Sequence, residues 1–463
     1  MNDRAPFTDI ATLAPTIERL NRTFAQGRTR AAPWRRQQLQ ALCRMLEDNE
    51  QAFLDALFAD LHKPVQEAWI AELSFVRSEA RHALRNLSRW MAPRKVRTPL
   101  VSQPGSSQIV PEPLGTVLVI GAWNYPLQLV LSPLVGVIAA GNCALIKPSE
   151  VAAATSALIA RLVPRYLDPD AVAVVEGGAE QTTALLTHRF DHILYTGNGQ
   201  VGRVVMAAAA KYLTPVTLEL GGKSPCIVTR NANLSTTARR IAWGKWMNAG
   251  QTCIAPDYVL VERGLRDRLV ARLGAEVAKM YGDPKTSKDF GRIISQRHAR
   301  RLAAYLDQGR VAFGGVADAA SRYVAPTVLV DVPPDAPVMV EEIFGPVLPV
   351  LEVDDVAAAM AFINAREKPL ALYVFGDARE ADRVLAGTAA GMACINDVLV
   401  MMGVPELPFG GVGASGIGSY TGSHGFRTFS HFKPILRRGL WPDLDARYPP
   451  FTDGKLKLLK KVL

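Results

Sequence analysis

The feature that most restricts the fold of this chain is an alternation of short apolar segments with longer helical ones, beginning near residue 114. The apolar segments are LGTVLVIGA, CALIKP, AVAVVEGG, DHILYTG and TPVTLEL. They are apolar throughout, which is typical of parallel strands covered on both faces by helices. The pattern predicts an α/β fold with a doubly wound sheet of the nucleotide-binding type. A second series after Gly221-Gly222 predicts a second α/β domain, and residues 1–90 are predicted to be mostly helical.

One part of the first series, Pro113–Ile146, contains no charged residue and is long enough to span a bilayer. Its internal pattern argues against a membrane helix. A strand-like segment is followed by the turn WNYP, a helical stretch that ends near Gly141, and the strand-like CALIKP. Irregular backbone at such turns would leave polar groups unsatisfied in lipid. The run is therefore predicted to form a strand, a turn, a helix and a strand of the first sheet.

Two stretches fit neither series. Arg94–Pro113 has β-branched residues around a Pro-Gly-Ser-Ser turn, and Phe426–Phe432 alternates apolar with polar residues. Both are predicted to be edge strands that pair with another subunit. The alternative is that they form ordinary surface hairpins.

Charge and cysteine content narrow the cellular setting. The chain has 53 Lys and Arg against 43 Asp and Glu, and a net charge of +10 permits an anionic partner without requiring nucleic acid. Its five cysteines are odd in number and far apart, which favours a reducing compartment. The N-terminal segment MNDRAPFTDI has two acids and no apolar core, so we expect no secretory signal and a cytoplasmic protein.

A glycine turn follows the predicted strand DHILYTG. Gly197, Gly199 and Gly202 match the spacing G-x-G-x-x-G between a strand and a helix, where backbone N–H groups can face a pyrophosphate. The alternative is that these glycines serve the tight turn geometry alone. The turn also lies outside the first βα unit, where this fingerprint is usually found.

Cys253 lies on a connection between a predicted helix and the strand DYVLVE, a kind of position where functional side chains are common. A thiol there becomes a nucleophile when its thiolate is stabilised. Taken alone, a single cysteine is more often inert packing, and that interpretation is kept for Cys143 and Cys226.

Four further side chains follow predicted strands. Glu219 has the position and partial burial of a general base, and Asn124 has an N–H donor suited to an oxyanion. Lys147 and Glu150 can hold ribose hydroxyls. The corresponding structural alternatives are a cap for the Gly-Gly turn, an Asx turn and a surface ion pair. Because the carboxyl ends of parallel strands share one edge, these groups are predicted to converge on one crevice with Cys253.

The motifs GAWNYP, KPSE, YTGNGQVG, LELGGKSP, MNAGQTC, EEIFGP and LPFGGVGASG occur in this order between residues 121 and 416. This set resembles the aldehyde dehydrogenase superfamily. The segments GQTCIAPDY, FGGVGASGIGSYTGSHGF and RYPPFTDGKLKLL are similar to its class 3, fatty-aldehyde branch. The resemblance implies the aldehyde dehydrogenase fold, with a Rossmann-type cofactor domain, an α/β catalytic domain and a small oligomerisation arm.

The resemblance also implies a mechanism. Cys253 would form a thiohemiacetal and then a thioester, Asn124 and the Cys253 N–H would hold the oxyanion, and Glu219 would activate the water that releases the acid. NAD is the expected cofactor, with NADP possible, because Glu150 should bind a 2′-hydroxyl and repel a 2′-phosphate. The remaining cofactor contacts that the resemblance implies are Lys147, Gly197, Gly202, Glu342 and Phe344, with Phe409 and Gly410 near the same region. No metal site is predicted.

Substrate preference is less constrained. Class 3 relatives often carry histidines where this chain has Met401-Met402 and Thr421. Four side chains are predicted to line a pocket for a medium- or long-chain aliphatic or an aromatic aldehyde, with core packing as the alternative: Tyr125, Trp243, Trp246 and Met247. Two rival functions are a CoA-acylating aldehyde dehydrogenase or acyl reductase, against which Glu219 argues, and a binding protein without turnover.

The predicted division of the chain has four parts. Residues 1–93 and 114–219 form the NAD(P)-binding domain, 220–405 the catalytic domain, 94–113 and 406–435 an oligomerisation arm, and 436–463 a tail. A homodimer is expected. The tail places Leu456, Leu459 and Leu463 on one face and carries Lys455, Lys457, Lys460 and Lys461. It is predicted either to lie on an anionic membrane surface or to dock on a subunit near the substrate entrance.

Overall fold

A computed structural model describes residues 7–462 of the chain. Residues 1–6, which hold most of the N-terminal segment expected to lack a signal, lie outside the described residues, and so does Leu463 of the predicted tail face. Among residues 7–462, no helix is both long enough and apolar enough to cross a membrane.

The described helices are α1 Leu13–Ala25, α2 Ala32–Asp48, α3 Glu50–Leu61, α4 Val65–Ala68, α5 Phe75–Met91, α6 Gln128–Ala140, α7 Ala153–Tyr166, α8 Ala179–Leu185, α9 Gly199–Ala210, α10 Leu234–Trp246, α11 Arg266–Tyr281, α12 Gln296–Ala303, α13 Pro337–Val340, α14 Val356–Asn364, α15 Ala378–Gly387, α16 Gly422–Thr428 and α17 Asp453–Val462. Five of the described helices, α9, α10, α12, α14 and α15, begin at an Asn, Ser or Asp whose side chain accepts a backbone N–H of the first turn. A wider π-helical segment, Trp69–Ser74, joins α4 to α5.

The strands are mostly short and buried, as expected for sheets covered on both faces. They are β1 Arg94–Val96, β2 Gly105–Pro113, β3 Thr116–Ile120, β4 Cys143–Lys147, β5 Val172–Val174, β6 His192–Gly197, β7 Val216–Leu220, β8 Pro225–Val228, β9 Tyr258–Glu262, β10 Arg310–Phe313, β11 Ala317–Asp318, β12 Tyr323–Val324, β13 Thr327–Val330, β14 Val347–Val353, β15 Ala371–Phe375, β16 Met392–Ile395, β17 Gly416–Ile417 and β18 Ser430–Arg438.

The first α/β unit is a six-stranded sheet in the order β17-β7-β6-β3-β4-β5. All neighbours are parallel except β17, which runs antiparallel to β7. The chain winds from β3 outwards through β4 and β5 and then returns to build β6 and β7 on the other side of β3. This reversal creates a switch point between β3 and β6, and ligands of open α/β sheets bind at such crevices.

The second α/β unit is a seven-stranded sheet in the order β10-β13-β14-β9-β8-β15-β16. Only β10 runs antiparallel to its neighbour. The connection from α10 to β9 carries the sequence NAGQTCIAPD, so this unit contributes the segment around Cys253.

The uncharged run Pro113–Ile146 folds as predicted into β3, a turn, α6 and β4. Every residue of α6 is buried, and the helix ends at Gly141, whose φ of 89° is the left-handed conformation that glycine adopts easily. The run is apolar because α6 is enclosed by protein, with α5, α2 and α16 packed around it.

The predicted arm is corrected in two respects. It is a three-stranded antiparallel sheet, β1-β2-β18, in which β18 pairs with β2 of the same chain along its whole length. The segment predicted as a strand at Phe426–Phe432 is instead the end of α16 followed by the start of β18. Phe426 and Phe429 are both buried. Their three-residue spacing therefore matches the buried face of a helical turn and not the alternating faces of a strand. The predicted arm segment 406–435 also contains β17 and α16. Strand β17 is the edge strand of the six-stranded sheet, and α16 packs against α6.

The C-terminal tail ends in the predicted helix, α17. Leu456 is 51% exposed and Leu458 is 49% exposed, while Leu459 is half-buried. The segment before it also exposes Trp441 and Phe451. The tail therefore presents apolar side chains and lysines on the surface of this chain.

Candidate active site

A cavity of about 560 Å³ opens at the carboxyl ends of β3, β4, β6 and β7. It brings together most of the side chains that the sequence singled out, and these lie along its wall: Asn124, Lys147, Glu150, Gly197, Glu219, Cys253, Glu342, Phe344 and Phe409. Predicted residues from both α/β units thus meet in one crevice at the switch point of the first sheet.

The loop that carries Cys253 has an unusual backbone. Asn248, Ala249 and Gly250 all adopt positive φ angles, of 53°, 51° and 75°. A Cβ atom on Gly250 would lie 2.2 Å from the carbonyl oxygen of Gly345, so glycine is required there. Asn248 also donates its backbone N–H to the Glu67 carboxylate at 3.0 Å. Strain of this kind is typical of functional loops that the surrounding structure holds in place.

Asn124 lies in the turn after β3, and its main-chain and side-chain groups are both held. Its side-chain Nδ2 donates to the Gln251 carbonyl at 3.1 Å. Its own carbonyl oxygen accepts from Lys63 Nζ at 3.0 Å and from Asn248 Nδ2 at 2.9 Å. The turn and the Cys253 loop are therefore tied together, which places an amide donor beside the thiol.

A buried ion pair that the sequence reasoning missed supports this turn. Lys63 Nζ lies 2.5 Å from a Glu72 carboxylate oxygen, and both side chains are fully buried. The other Glu72 oxygen accepts the backbone N–H groups of Leu127 and Gln128 at 3.0 Å each. Removing one partner of a buried pair typically costs about 3–5 kcal/mol. No local signal reveals this pair, because its partners come from the N-terminal helices and its target lies some 55 to 60 residues further on.

Glu219 is 2% exposed, and neither of its carboxylate oxygens has a hydrogen-bond partner among the described residues. Burial raises its pKa well above the usual value of a glutamate. The carboxyl group therefore binds a proton more strongly than an exposed glutamate does, which makes it a stronger base when it is ionised.

The Cys253 thiol is half-buried and lies near two carboxyl groups, whose negative charge disfavours its thiolate. Burial raises its pKa, and the carboxylates of Glu342 and Glu219 raise it further. The thiol form thus dominates at neutral pH, and the nucleophile is produced when the proton leaves.

Glu342 lies over the Gly221-Gly222 turn that follows β7. A Cβ atom on Gly221 would be 1.9 Å from a Glu342 oxygen, and the carboxylate accepts the Gly222 N–H. Burial, with a smaller contribution from Asp257, raises the pKa of Glu342 to about 8. The absence of a side chain at Gly221 thus leaves room for a second titratable carboxyl group, that of Glu342, in the cavity.

The opposite end of the cavity has the features of a nucleotide site. Lys147 Nζ donates to Glu150 at 2.9 Å, and both side chains line the wall. The N-terminus of α9 begins there, with Asn198 accepting the Val201 N–H at 2.9 Å. Gly202 does not line the cavity: a Cβ on it would lie 2.9 Å from Leu220, so its role is close packing of α9 on β7.

The side chains of Trp123, His298 and Arg301 are among the cavity residues that were not predicted. The rings of Trp123 and Phe344 meet edge to face with centroids 5.3 Å apart, and His298 lies 5.2 Å from Trp123. Arg301 donates to the carbonyl groups of Glu342 and Ile343 and also lines the wall. His298 and Arg301 belong to α12, whose sequence QRHARRLA is that of a solvated basic helix, so only the tertiary fold reveals their position.

None of the four predicted pocket residues is among those lining the cavity. For Trp246 the prediction is wrong, because its indole is fully buried in the core and donates to the Pro346 carbonyl at 2.9 Å. Tyr125 is 6% exposed and its hydroxyl is bonded to Thr252 at 2.7 Å. Trp243 is 39% exposed, and Met247 is half-buried against the core.

The chain is also similar to known proteins along nearly its whole length. The sequence profile described as "Aldehyde dehydrogenase family" matches residues 9–435. The chain is 51% identical over 447 residues to Aldehyde dehydrogenase family 3 member B1 of Rattus norvegicus, covering 96% of each chain. It is 48% identical to the "Aldehyde dehydrogenase, dimeric NADP-preferring" of Canis lupus familiaris, covering 95% of this chain and 98% of the relative. Among solved structures, the substrate-bound state of Staphylococcus aureus AldH superposes with a TM-score of 0.95 at 40% identity, covering 97% and 99% of the two chains.

Proposed function

This chain belongs to the aldehyde dehydrogenase family, in its class 3 branch, and from that premise we propose how its residues act. The protein is an NAD(P)-dependent enzyme that oxidises aldehydes. The observation that carries the proposed mechanism is that a thiol, a buried carboxyl group and an anchored amide, those of Cys253, Glu219 and Asn124, share one cavity. The variants Cys253→Ala and Glu219→Gln test this mechanism most directly.

In the first step Cys253 loses its proton and its thiolate attacks the aldehyde carbon, which gives a thiohemiacetal. Negative charge develops on the former carbonyl oxygen. The Asn124 side chain and the Cys253 backbone N–H donate to this oxygen, and because the Asn124 turn is held by Lys63 and Asn248, little reorganisation is needed.

Bound NAD(P) would supply the hydride acceptor for the oxidation of the thiohemiacetal on Cys253. The residues that would hold it are Lys147 and Glu150 at the ribose, the N-terminus of α9 at the phosphates, and Glu342 with Phe344 at the reactive end. The acyl group of the substrate then remains bound to the Cys253 sulfur as a thioester. Glu219 then accepts a proton from water, the water oxygen attacks the thioester carbon, and the carboxylic acid leaves.

The cofactor prediction rests on Glu150. Its carboxylate lies at the nucleotide end, beside Lys147, where it would accept a 2′-hydroxyl and repel a 2′-phosphate. We expect kcat/KM to be about tenfold or more higher with NAD than with NADP, a difference of about 1.4 kcal/mol. Glu150→Gln should narrow the difference by improving turnover with NADP. A clear preference for NADP in the parent enzyme would contradict this assignment.

We propose a medium- or long-chain aliphatic, or an aromatic, aldehyde as the substrate. Phe409 lines the catalytic cavity and also a second pocket of about 210 Å³, whose other walls include Met392, Met401, Met402 and Leu407. Met401, Met402 and Thr421, which stand where class 3 relatives often carry histidines, all line this second pocket. An apolar substrate chain suits such a surface.

A panel of aldehydes tests the substrate proposal. Each buried methylene is worth about 0.8 kcal/mol, so kcat/KM should rise about three- to fourfold per added carbon from acetaldehyde towards octanal. Benzaldehyde should also be turned over. Met402→Ser should reduce the octanal value and leave the acetaldehyde value unchanged. Acetaldehyde as the best substrate would overturn the proposal, and acid formed only when CoA is supplied would favour the acylating rival.

We further propose that the enzyme is a cytoplasmic homodimer. All five cysteines are free thiols, which suits a reducing compartment. The edge strands of the arm supply backbone groups for a second subunit. The exposed leucines and lysines of α17 suit either of two surfaces, the partner near its substrate entrance or an anionic membrane. Sedimentation of the protein alone measures its oligomeric state, and sedimentation with phosphatidylglycerol vesicles measures membrane binding. A monomer that does not bind the vesicles would contradict both possibilities.

A further inference from the structure

The hydroxyl group of Tyr420 is a buried donor that the mechanism above does not use. The side chain is 1% exposed, and its oxygen has no hydrogen-bond partner among the described residues. Buried tyrosine hydroxyls usually find a partner, because leaving a polar group unpaired in the interior costs free energy. Such an atom points to a ligand or reactant as its partner.

The backbone around Tyr420 places this side chain beside Phe409, a residue of the cavity wall. Tyr420 and Phe409 form an antiparallel bridge in which each N–H donates to the other's carbonyl, at 2.8 and 2.9 Å. Directly opposite residues project to the same face, and the two rings meet edge to face at 5.7 Å. Since Phe409 lines the catalytic cavity, Tyr420 lies just behind that wall.

The same segment also lies beside the strand that carries Glu219. In the pairing of β17 with β7, Gly416 is directly opposite Glu219. The chain then leads from β17 through two residues to the Tyr420 bridge. Glu219 and the segment that follows β17 thus both carry buried polar atoms without a partner among residues 7–462: both carboxylate oxygens of Glu219 and the hydroxyl of Tyr420.

The two groups have complementary hydrogen-bonding capacity. Burial raises the pKa of the Tyr420 hydroxyl well above its usual value, and the charges on Glu219 and Cys253 raise it further. The phenol therefore keeps its proton and remains a donor, whereas an ionised Glu219 is an acceptor. A single water molecule can accept from the first group and donate to the second.

We propose that Tyr420 and Glu219 bind the same water molecule and hold it for attack on the Cys253 thioester. This inference rests on the proposed function. Tyr420 donates to the water oxygen, which fixes its position, and Glu219 accepts one of its hydrogens. The water oxygen forms a bond to the acyl carbon, its proton passes to Glu219, the carbon–sulfur bond breaks, and the electron pair remains on the Cys253 sulfur. Tyr420 keeps its own proton throughout.

Tyr420→Phe tests the proposal, because it removes the hydroxyl and keeps the ring that packs on Phe409. In stopped-flow experiments with NAD and octanal, we expect a first-turnover burst of NADH at least as large as that of the parent. The steady-state rate should fall by about 10- to 100-fold, the range for losing one group that positions a proton transfer. Hydroxylamine attacks thioesters without a base, so when it is added after a single-turnover burst has consumed the octanal, it should release the acyl group that Tyr420→Phe retains on Cys253.

Tyr166→Phe is the matched control. Tyr166 is the last residue of α7, and its hydroxyl donates to the Asp48 carboxylate at 3.0 Å. The burst and steady-state rate of this variant should equal those of the parent. An unchanged steady-state rate in Tyr420→Phe would overturn the role of Tyr420. An equal loss of the burst and of the steady-state rate would also overturn it, because that result indicates a structural role. Failure of the proposed function is distinguishable, because the parent enzyme itself would then release no acid without CoA.

Discussion

Replacing Cys253 by alanine is expected to abolish aldehyde-dependent NADH formation. The thiol is the nucleophile of the cavity, and without it neither the thiohemiacetal nor the thioester can form. Loss of a covalent nucleophile typically costs several orders of magnitude, so kcat/KM should fall by at least about 10⁴-fold. The measurement is NADH absorbance with octanal in the steady state. Because burial already holds the residue as a neutral thiol, alanine adds no unpaired charge and the fold should persist.

Cys394→Ala is the control for that experiment. Cys394 is a half-buried thiol on β16 and does not line the catalytic cavity. Its removal should leave kcat/KM within about twofold of the parent, since changes away from functional groups usually have small effects. Steady turnover by Cys253→Ala at the parental rate would show that the reaction does not pass through this thiol.

Replacing Glu219 by glutamine should separate the two halves of the reaction. Hydride transfer does not need the carboxylate, so a burst of about one NADH per active site should remain. Hydrolysis of the thioester loses its base, and the steady-state rate should fall by about 10²- to 10³-fold. Pre-steady-state absorbance resolves the burst, and acid release measures the slow phase.

The pH dependence gives Glu219 a second test. Burial raises its pKa, so the base form becomes more populated as the pH rises. The steady-state rate of the parent should therefore increase with pH, and this increase should be absent from Glu219→Gln, which cannot ionise. Glu47→Gln, a change of an exposed carboxylate on α2, should keep the parental profile. A Glu219→Gln enzyme with no burst, or with an undiminished steady rate, would exclude the assigned role.

Much of the architecture follows from local sequence. The apolar runs predicted the strands of both sheets because a parallel strand is buried on two faces. Cys253, Glu219 and Asn124 were identifiable from their positions next to the predicted elements. Glu219 lies near the end of a strand, Asn124 follows a strand, and Cys253 follows a helix.

The remainder depends on contacts between distant segments. Lys63 and Glu72 are polar residues of the helical N-terminal region, and no pattern shows that they reach the turn after β3. Trp246 matches an aromatic pocket residue in sequence, yet its orientation on α10 directs it into the core. Tyr420 is one tyrosine among eleven, and only its burial and its pairing with Phe409 distinguish it.

The pairing of β18 with β2 has a consequence for biosynthesis. Ser430 lies opposite Pro113 and Arg438 opposite Gly105, so strands from opposite ends of the chain form this ladder. A nascent chain on the ribosome carries β2 with an open edge until its last segments have been made. Open strand edges are where chains associate wrongly, and pairings over such sequence separations form slowly. Chaperone dependence and sensitivity to premature termination should therefore concentrate at this arm, far from the chemistry.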